Sequence, residues 1–376
     1  MVKSLKEILA DDFWIMPATP KYKDKGIPYI TSKNIKNGAI DFRNVNYISE
    51  EDYESISKNR PIQKGDILIS MIGTLGETAE VTEQDGKFYG QNMFLVRLNS
   101  EAVDKRYFLN YFQSSVVKRA LAGSQNQSTQ KYLKANHIED LQIPLPSIED
   151  QEKIAKRLDL LSQVIVQRKQ QLDKFDELIK ARFVELFGDP RINPLGYDTK
   201  ELGKTCTVIT GNTPSRKVPE YYGDYMEWIK TDNIVSGVLN PTEAAECLSE
   251  SGVNEGRCVD KNAILMACIA GSIASIGRVC VTDRRVAFNQ QINAIVPGEY
   301  NTLFLYILLQ ISKDYLVEDI NMALKGILSK SKLEEKVFIV PPMELQNQFA
   351  DFVKQVDKSK VVGESTYSKR LLWRTG

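Results

Sequence analysis

The sequence predicts an α+β chain built from two tandem copies of one module, separated by a long helix. Three observations carry this expectation. Segments recur in order at a nearly constant offset; short β-branched and aromatic runs inside each copy give way to helical spacing; and about 40 residues between the copies hold one continuous apolar seam.

The repeat comes first because it fixes the boundaries of everything else. Thr19-Pro20 returns as Thr213-Pro214, and Tyr29 to Ile35 returns as Trp228 to Ile234, each an aromatic, then Ile, then Asn-Ile. Lys64 to Ile69 answers Lys261 to Met266, Gly73 to Val81 answers Gly271 to Val279, and Tyr89 to Asn92 answers Phe288 to Gln291. The exit, Ile143 to Gln151, is matched with Val340 to Gln348, so the offset stays between 194 and 200. Six ordered pairs at a nearly constant offset point to a duplication. The reading gives a first module over 1–145, a spacer helix over 146–188, a second module over 189–340, a shortened distal helix over 341–362 and an atypical tail over 363–376.

Within a module, Asp66 to Ile72 and Lys87 to Leu98 read as strands with turns. Lys105 to Ala122 and Thr302 to Leu316 carry apolar residues at helical spacing. Ala263 to Gly277, the most membrane-like stretch, is too short to span a bilayer and reads as buried strands around a turn. The spacer is the clearest element. Ser147 to Asp150 has the form of a capping box and Gly188 with Pro190 a stop. Ile154, Leu158, Leu161, Ile165, Arg168, Leu172, Phe175, Ile179, Arg182 and Leu186 alternate at spacings of 4 and 3, a coiled-coil seam interrupted by two arginines. Its partner face begins at Leu345, Phe349, Phe352, Val353 and Val356.

With 376 residues and 42% hydrophobic side chains, the chain has material for two or three domains. Its 49 Lys plus Arg balance 49 Asp plus Glu, so any case for nucleic acid rests on local charge. Five cysteines without CxxC spacing fit reduced thiols in a cytoplasm, and the start at Met1 lacks the apolar run of a secretory signal.

Taken together, the Gly211 to Ser215 entry, the aromatic-Ile-x-x-x-Asn-Ile strands, the Lys-x-x-Ile-Leu strands and the Pro-rich exits into helices resemble the specificity subunits of type I restriction-modification systems. The resemblance covers residues 15 to 358. It implies two target recognition domains, each reading one half of a split double-stranded DNA site. It also implies long antiparallel coiled-coil-like helices that set the spacing between the halves. Modification (adenine methyltransferase) subunits and restriction (ATP-dependent translocase and endonuclease) subunits are the partners it implies. The first module departs from the pattern, with Pro17 to Pro20 in place of the fuller entry, which points to a shortened first strand.

No catalytic group is expected in the chain itself. It has no Asp/Asn-Pro-Pro-aromatic loop for adenine methylation and no GxxxxGK[ST] phosphate loop. His137 is the single histidine, which reads as an exposed or capping residue. Neither a cofactor nor a metal is called for. The alternatives are the recognition part of a fused methyltransferase or nuclease, and a protein-protein scaffold without DNA.

Candidate DNA contacts follow from the need for cations that neutralise phosphate and for amides or hydroxyls that read base edges. From Lys21 to Arg43 six cations face two carboxylates, which nominates Lys21, Lys23 and Lys33. Gln91 and Asn92, with their counterparts Gln290 and Gln291, sit beside predicted strands. The amide-rich segment 124–131 offers Gln125, Gln127, Ser128 and Lys131, and its counterpart offers Lys325 and Lys330. Thr74, Lys217, Thr231, Asp232 and Ser272 complete the set at repeated positions, while Tyr29 and Trp228 read as core. Because the distal face fades after Val356, Leu172, Phe175, Ile179 and Leu186 are expected to stay uncovered. They are nominated as a surface for a modification subunit or for self-association.

Overall fold

The computed structural model describes residues 1–16, 20–73, 75–123, 132–318, 320 and 326–371, with side chains to 360. It divides into two compact units, Met1–Val166 and Gln167–Arg374. Each unit contains one module.

In the first unit a four-stranded sheet has the order Trp14–Ile15, Met93–Val96, Ile67–Ser70, Thr78–Glu80. In the second the same order is Cys206–Thr210, Ile292–Pro297, Ile264–Ala267, Val279–Val281. Both faces of these sheets are buried. Successive side chains of a strand point to opposite faces, so Ile67, Ile69, Phe94 and Val96 enter a core shared with the helices. Leu68, Met93 and Leu95 enter a second core instead. That second core is closed by a smaller sheet, Asn46–Ile48, Ile27–Thr31 and Tyr89–Gln91, in which Tyr29 lies parallel to Tyr89. The second unit repeats the parallel pair as Trp228 beside Ala287 and widens this sheet to five strands. Tyr29 and Trp228 are core residues, 0% and 3% exposed. The first strand of the first module is short, two residues against five, as its abrupt entry predicts.

Two repeated amides explain why the frame recurs. Asn34 accepts from Thr31 N at 2.9 Å and donates to the carbonyls of Asp41 and Asn44. Asn233 accepts from Lys230 N at 2.9 Å and donates to Thr242 Oγ1 and the Glu243 carbonyl. The Asn of each Asn-Ile pair is therefore a staple for its loop. Gln151, 1% exposed, donates to the carbonyls of Ala102 and Pro146 and accepts from Asp104 N. Its equivalent is Gln346, which donates to the Glu299 and Pro341 carbonyls and accepts from Asn301 N. This corrects the expected match of Gln151 with Gln348. Adjacent prolines allow a slip of two residues in sequence, and the hydrogen bonds remove it.

The helical segments after each sheet are broken rather than continuous. They run Lys105–Phe112 then Ser115–Gly123, and Thr302–Ile311 then Lys313–Val317. The spacer helix is Ile148–Phe187. Ser147 Oγ accepts from Asp150 N at its start, and Gly188 ends it at φ +72°, a conformation glycine adopts without penalty.

The distal helix is Met343–Leu371, longer than the expected 341–362. A missing heptad pattern does not stop a helix, and the single Gly363 costs only about 1 kcal/mol. The expectation that the spacer seam lies uncovered is also corrected. Ile179 is 3% exposed, and Phe183 and Phe187 are fully buried in the second module's core. Phe175 and Leu186 pack against the same core, and Leu172 is half-buried. Phe183 and Phe187 meet Phe349 at 5.5 and 5.6 Å between ring centres, and Lys360 reaches Asp176 at 2.5 Å. The cover comes from the distal helix and from Phe304. The sequence pattern missed it because Phe183 and Phe187 lie beside the seam rather than on it.

Candidate nucleic-acid interface

Both modules gather three chain segments at one edge of the module, beyond the ends of the two central strands of its four-stranded sheet. In the first module these are the 3-10 turn Ser32–Asn34, the loop leaving strand Ile67–Ser70 and the turn at Asn92. The buried hydroxyl of Ser32 donates to the Asn92 carbonyl, which also accepts from Met71 N at 3.1 Å. Met71 N and Ile72 N approach the same hydroxyl at 3.3 and 3.4 Å. Ile72 forms an antiparallel bridge with Tyr132, and Leu133 N donates to the Met71 carbonyl at 2.9 Å. The residues that follow the 124–131 segment are thereby stitched to this edge. A concavity lined by Thr31, Lys33, Asn34, Ile72, Gly73 and Asn92 marks the place.

The second module repeats the arrangement with other chemistry. Cys268 N and Ile269 N donate to the Gln291 carbonyl at 2.8 and 3.2 Å, Ile269 bridges Ile327, and Leu328 N donates to the Cys268 carbonyl. Arg278 donates to the carbonyls of Thr231 and Ser275 at 3.4 and 3.2 Å, which ties the turn Thr231–Asn233 to the turn that carries Ser272. Ser272 itself pairs with Ser275 at 3.0 Å.

The structure thus brings Lys33, Gln91 and Asn92 together in one module, and Thr231, Asp232, Ser272 and Gln291 in the other. Gln91 donates to Tyr22 Oη at 3.2 Å, which places Lys21 and Lys23 beside it in sequence, and both lysines are exposed. Gln290 accepts from Thr213 Oγ1, and Gln291 accepts from Asn289 Nδ2 at 3.2 Å. Lys217 is exposed, and Lys330 pairs with Glu334 at 3.5 Å along its own short helix. Thr74, Gln125, Gln127, Ser128, Lys131 and Lys325 lie outside the described residues. Ser32, Tyr132 and Arg278 were not nominated. Ser32 had a signal, since a hydroxyl stands at the same place in the other copy, Thr231.

Charge is held differently in the two modules. Lys36 and Arg43 close on Asp41, whose carboxyl Arg43 in the first place holds well below the usual range. Lys21, Lys23 and Lys33 are exposed and outside any ion pair among the described residues. In the second module Arg216 and Lys230 converge on Glu246 at 2.7 and 2.9 Å, and Arg216 lies 4.2 Å from the centre of the Tyr222 ring. Arg284 grips Glu227 with two nitrogens and holds its carboxyl below the ordinary value.

His137 accepts from Lys134 N at 3.4 Å at the start of a short helix, a capping position. Burial pushes the thiols of Cys268 and Cys280 up to about 12, so neither is a thiolate at neutral pH. Among the described residues no helix is long and apolar enough to cross a membrane.

The model of the type I restriction modification DNA specificity domain matches this chain twice, over residues 2–174 and 194–366. The type I restriction enzyme MjaIX specificity subunit of Methanocaldococcus jannaschii is 24% identical over 386 residues, covering 94% of this chain and 85% of that relative. The HindI specificity subunit of Haemophilus influenzae is 30% identical over 164 residues, 42% of this chain and 35% of its own length. Another M. jannaschii relative is 28% identical over 191 residues, and the match spans 44% of its length. Among solved structures, one from a study of the assembly and conformational transition of the type I R-M system aligns with TM-score 0.57 at 18% identity. It covers 100% of this chain and 95% of that one. The type I restriction-modification S subunit from M. genitalium aligns with TM-score 0.55 at 14% identity, covering 100% and 93%. These likenesses establish the shared fold.

Proposed function

The chain belongs to the type I restriction modification DNA specificity domain family, and from that premise we propose that it is the non-catalytic specificity subunit of such a system. Each module reads one half of a split double-stranded DNA target. The observation that carries this reading is the repeated edge, where loops with different side chains hang on the same frame. Lys33, Gln91 and Asn92 mark it in the first module, and Thr231, Asp232, Ser272 and Gln291 in the second. Lysines there neutralise phosphates without regard to sequence, and amides and hydroxyls read base edges in the major groove.

The spacer and distal helices act as an antiparallel, coiled-coil-like separator that fixes the unread gap between the halves. Methylation of adenine and ATP-driven cleavage belong to modification and restriction subunits assembled on this chain. The decisive test is methylome sequencing of cells with and without the gene. A two-part adenine motif that disappears with the gene is expected, and an unchanged methylome refutes the reading. A scaffold without DNA contact predicts no mobility shift of duplex DNA by the chain with its modification subunits, whereas a reader shifts it.

A further inference from the structure

We infer that Ser32 is a positioning residue for half of the target: it touches no base, yet it holds the reading loops of the first module in place. The inference rests on the DNA-reading function proposed above. Ser32 is 8% exposed, so its side chain is a poor candidate for contact with a ligand. Its hydroxyl is instead a junction of three segments. It donates to the carbonyl of Asn92 and lies within reach of the amides of Met71 and Ile72, which begin the loop bridged to Tyr132.

Asn92 gives the junction something to hold. Its φ is +60°, a left-handed turn that asparagine tolerates better than other non-glycine residues, and it turns the Asn92 carbonyl toward Ser32 and Met71. Losing the Ser32 hydroxyl leaves the Asn92 carbonyl with Met71 N alone and removes the side-chain tie that extends the contact between the two segments past the last strand pair, Thr31 with Gln91. The loops then sample more than one arrangement, and discrimination falls while the buried sheet beneath them persists.

The second module provides the contrast. Thr231 occupies the equivalent place, but Arg278 secures that turn through its carbonyl, and two backbone amides secure the Gln291 carbonyl directly. The Thr231 hydroxyl is not needed for either tie.

The experiment uses the full chain assembled with its modification subunits, and reads methylation at every position of the two-part motif. Ser32→Ala is expected to relax one half, with discrimination there falling roughly tenfold, the size of one buried hydrogen bond removed with a partner left unsatisfied. The other half should stay strict. Ser32→Thr, which keeps the hydroxyl, should restore the strictness of the relaxed half. An unaltered motif with Ser32→Ala overturns the inference, as does an equal loss in both halves with a lowered melting temperature, or failure of Ser32→Thr to rescue. A wild-type complex that writes no two-part motif overturns the DNA-reading function itself, and this inference with it.

Discussion

In the first module Asp41 holds Lys36 and Arg43, but three more cations, Lys21, Lys23 and Lys33, are exposed and outside any ion pair among the described residues. In the second, Arg216 and Lys230 share Glu246, and Arg284 is bound to Glu227. The frames beneath are the same four-stranded sheets in the same order, stapled by Asn34 in one and Asn233 in the other. Duplication has kept what holds each loop and released what the loop presents. A free lysine is available to any phosphate, whereas a cation held by a carboxylate must first exchange that partner, so the first module should carry more of the salt-sensitive binding.

The largest test of this division is exchange of residues 1–145 for another module of the family. One half of the methylated motif should change completely and the other not at all; a change in both would show that the modules do not read independently. Next in size is the shared frame. Gln151→Ala and Gln346→Ala each leave an amide and two carbonyls without their partner, so each should cost about 1–3 kcal/mol in urea unfolding. A large effect from only one of them would break the equivalence of the two joints.

The charge difference predicts a smaller effect. Joint replacement of Lys21, Lys23 and Lys33 by Gln should flatten the dependence of log affinity on log salt by about 2 to 3, at roughly 0.9 for each phosphate no longer neutralised. Glu246→Gln in the other module should steepen it, because Arg216 and Lys230 are released. Filter binding across a salt series measures both. An unchanged slope in the lysine variant would place the phosphate-binding cations elsewhere.

The smallest effect concerns acid. Arg284 holds the Glu227 carboxyl below its ordinary value of 4.5, so the stability this pair contributes is complete above that value and is lost as pH falls through the lowered one. Urea midpoints of the unsubstituted chain should therefore fall more steeply below about pH 4.5 than those of Glu227→Gln. Parallel curves would mean that the pair adds nothing.

Much of this architecture was legible in the sequence because apolar periodicity and repeat offset are properties of the chain itself. The spacer boundaries, the strands around Ile67 and Ile264, and the burial of Tyr29 and Trp228 followed from them. The cover over Ile179 did not, since Phe183 and Phe187 pack against Phe304 and Phe349, more than 100 residues away in sequence. The candidate edge was half legible. Lys33, Gln91 and Asn92 stood out by residue type, but the junction that joins them is a serine in a polar run. Its importance comes from burial, which composition does not encode.

The joint at Gln151 has a consequence for inheritance. All three of its bonds within the first unit end on main-chain atoms, the Asp104 amide and the Ala102 and Pro146 carbonyls. A socket built on backbone accepts any plug of the same backbone path, whatever side chains the plug displays. A recombination crossing the gene near codon 146 therefore keeps the Gln151 bonds available to a foreign reader, leaving the side-chain contacts at Ala155 and Asp159 to be matched. New specificity would then arise in one genetic event rather than by gradual substitution.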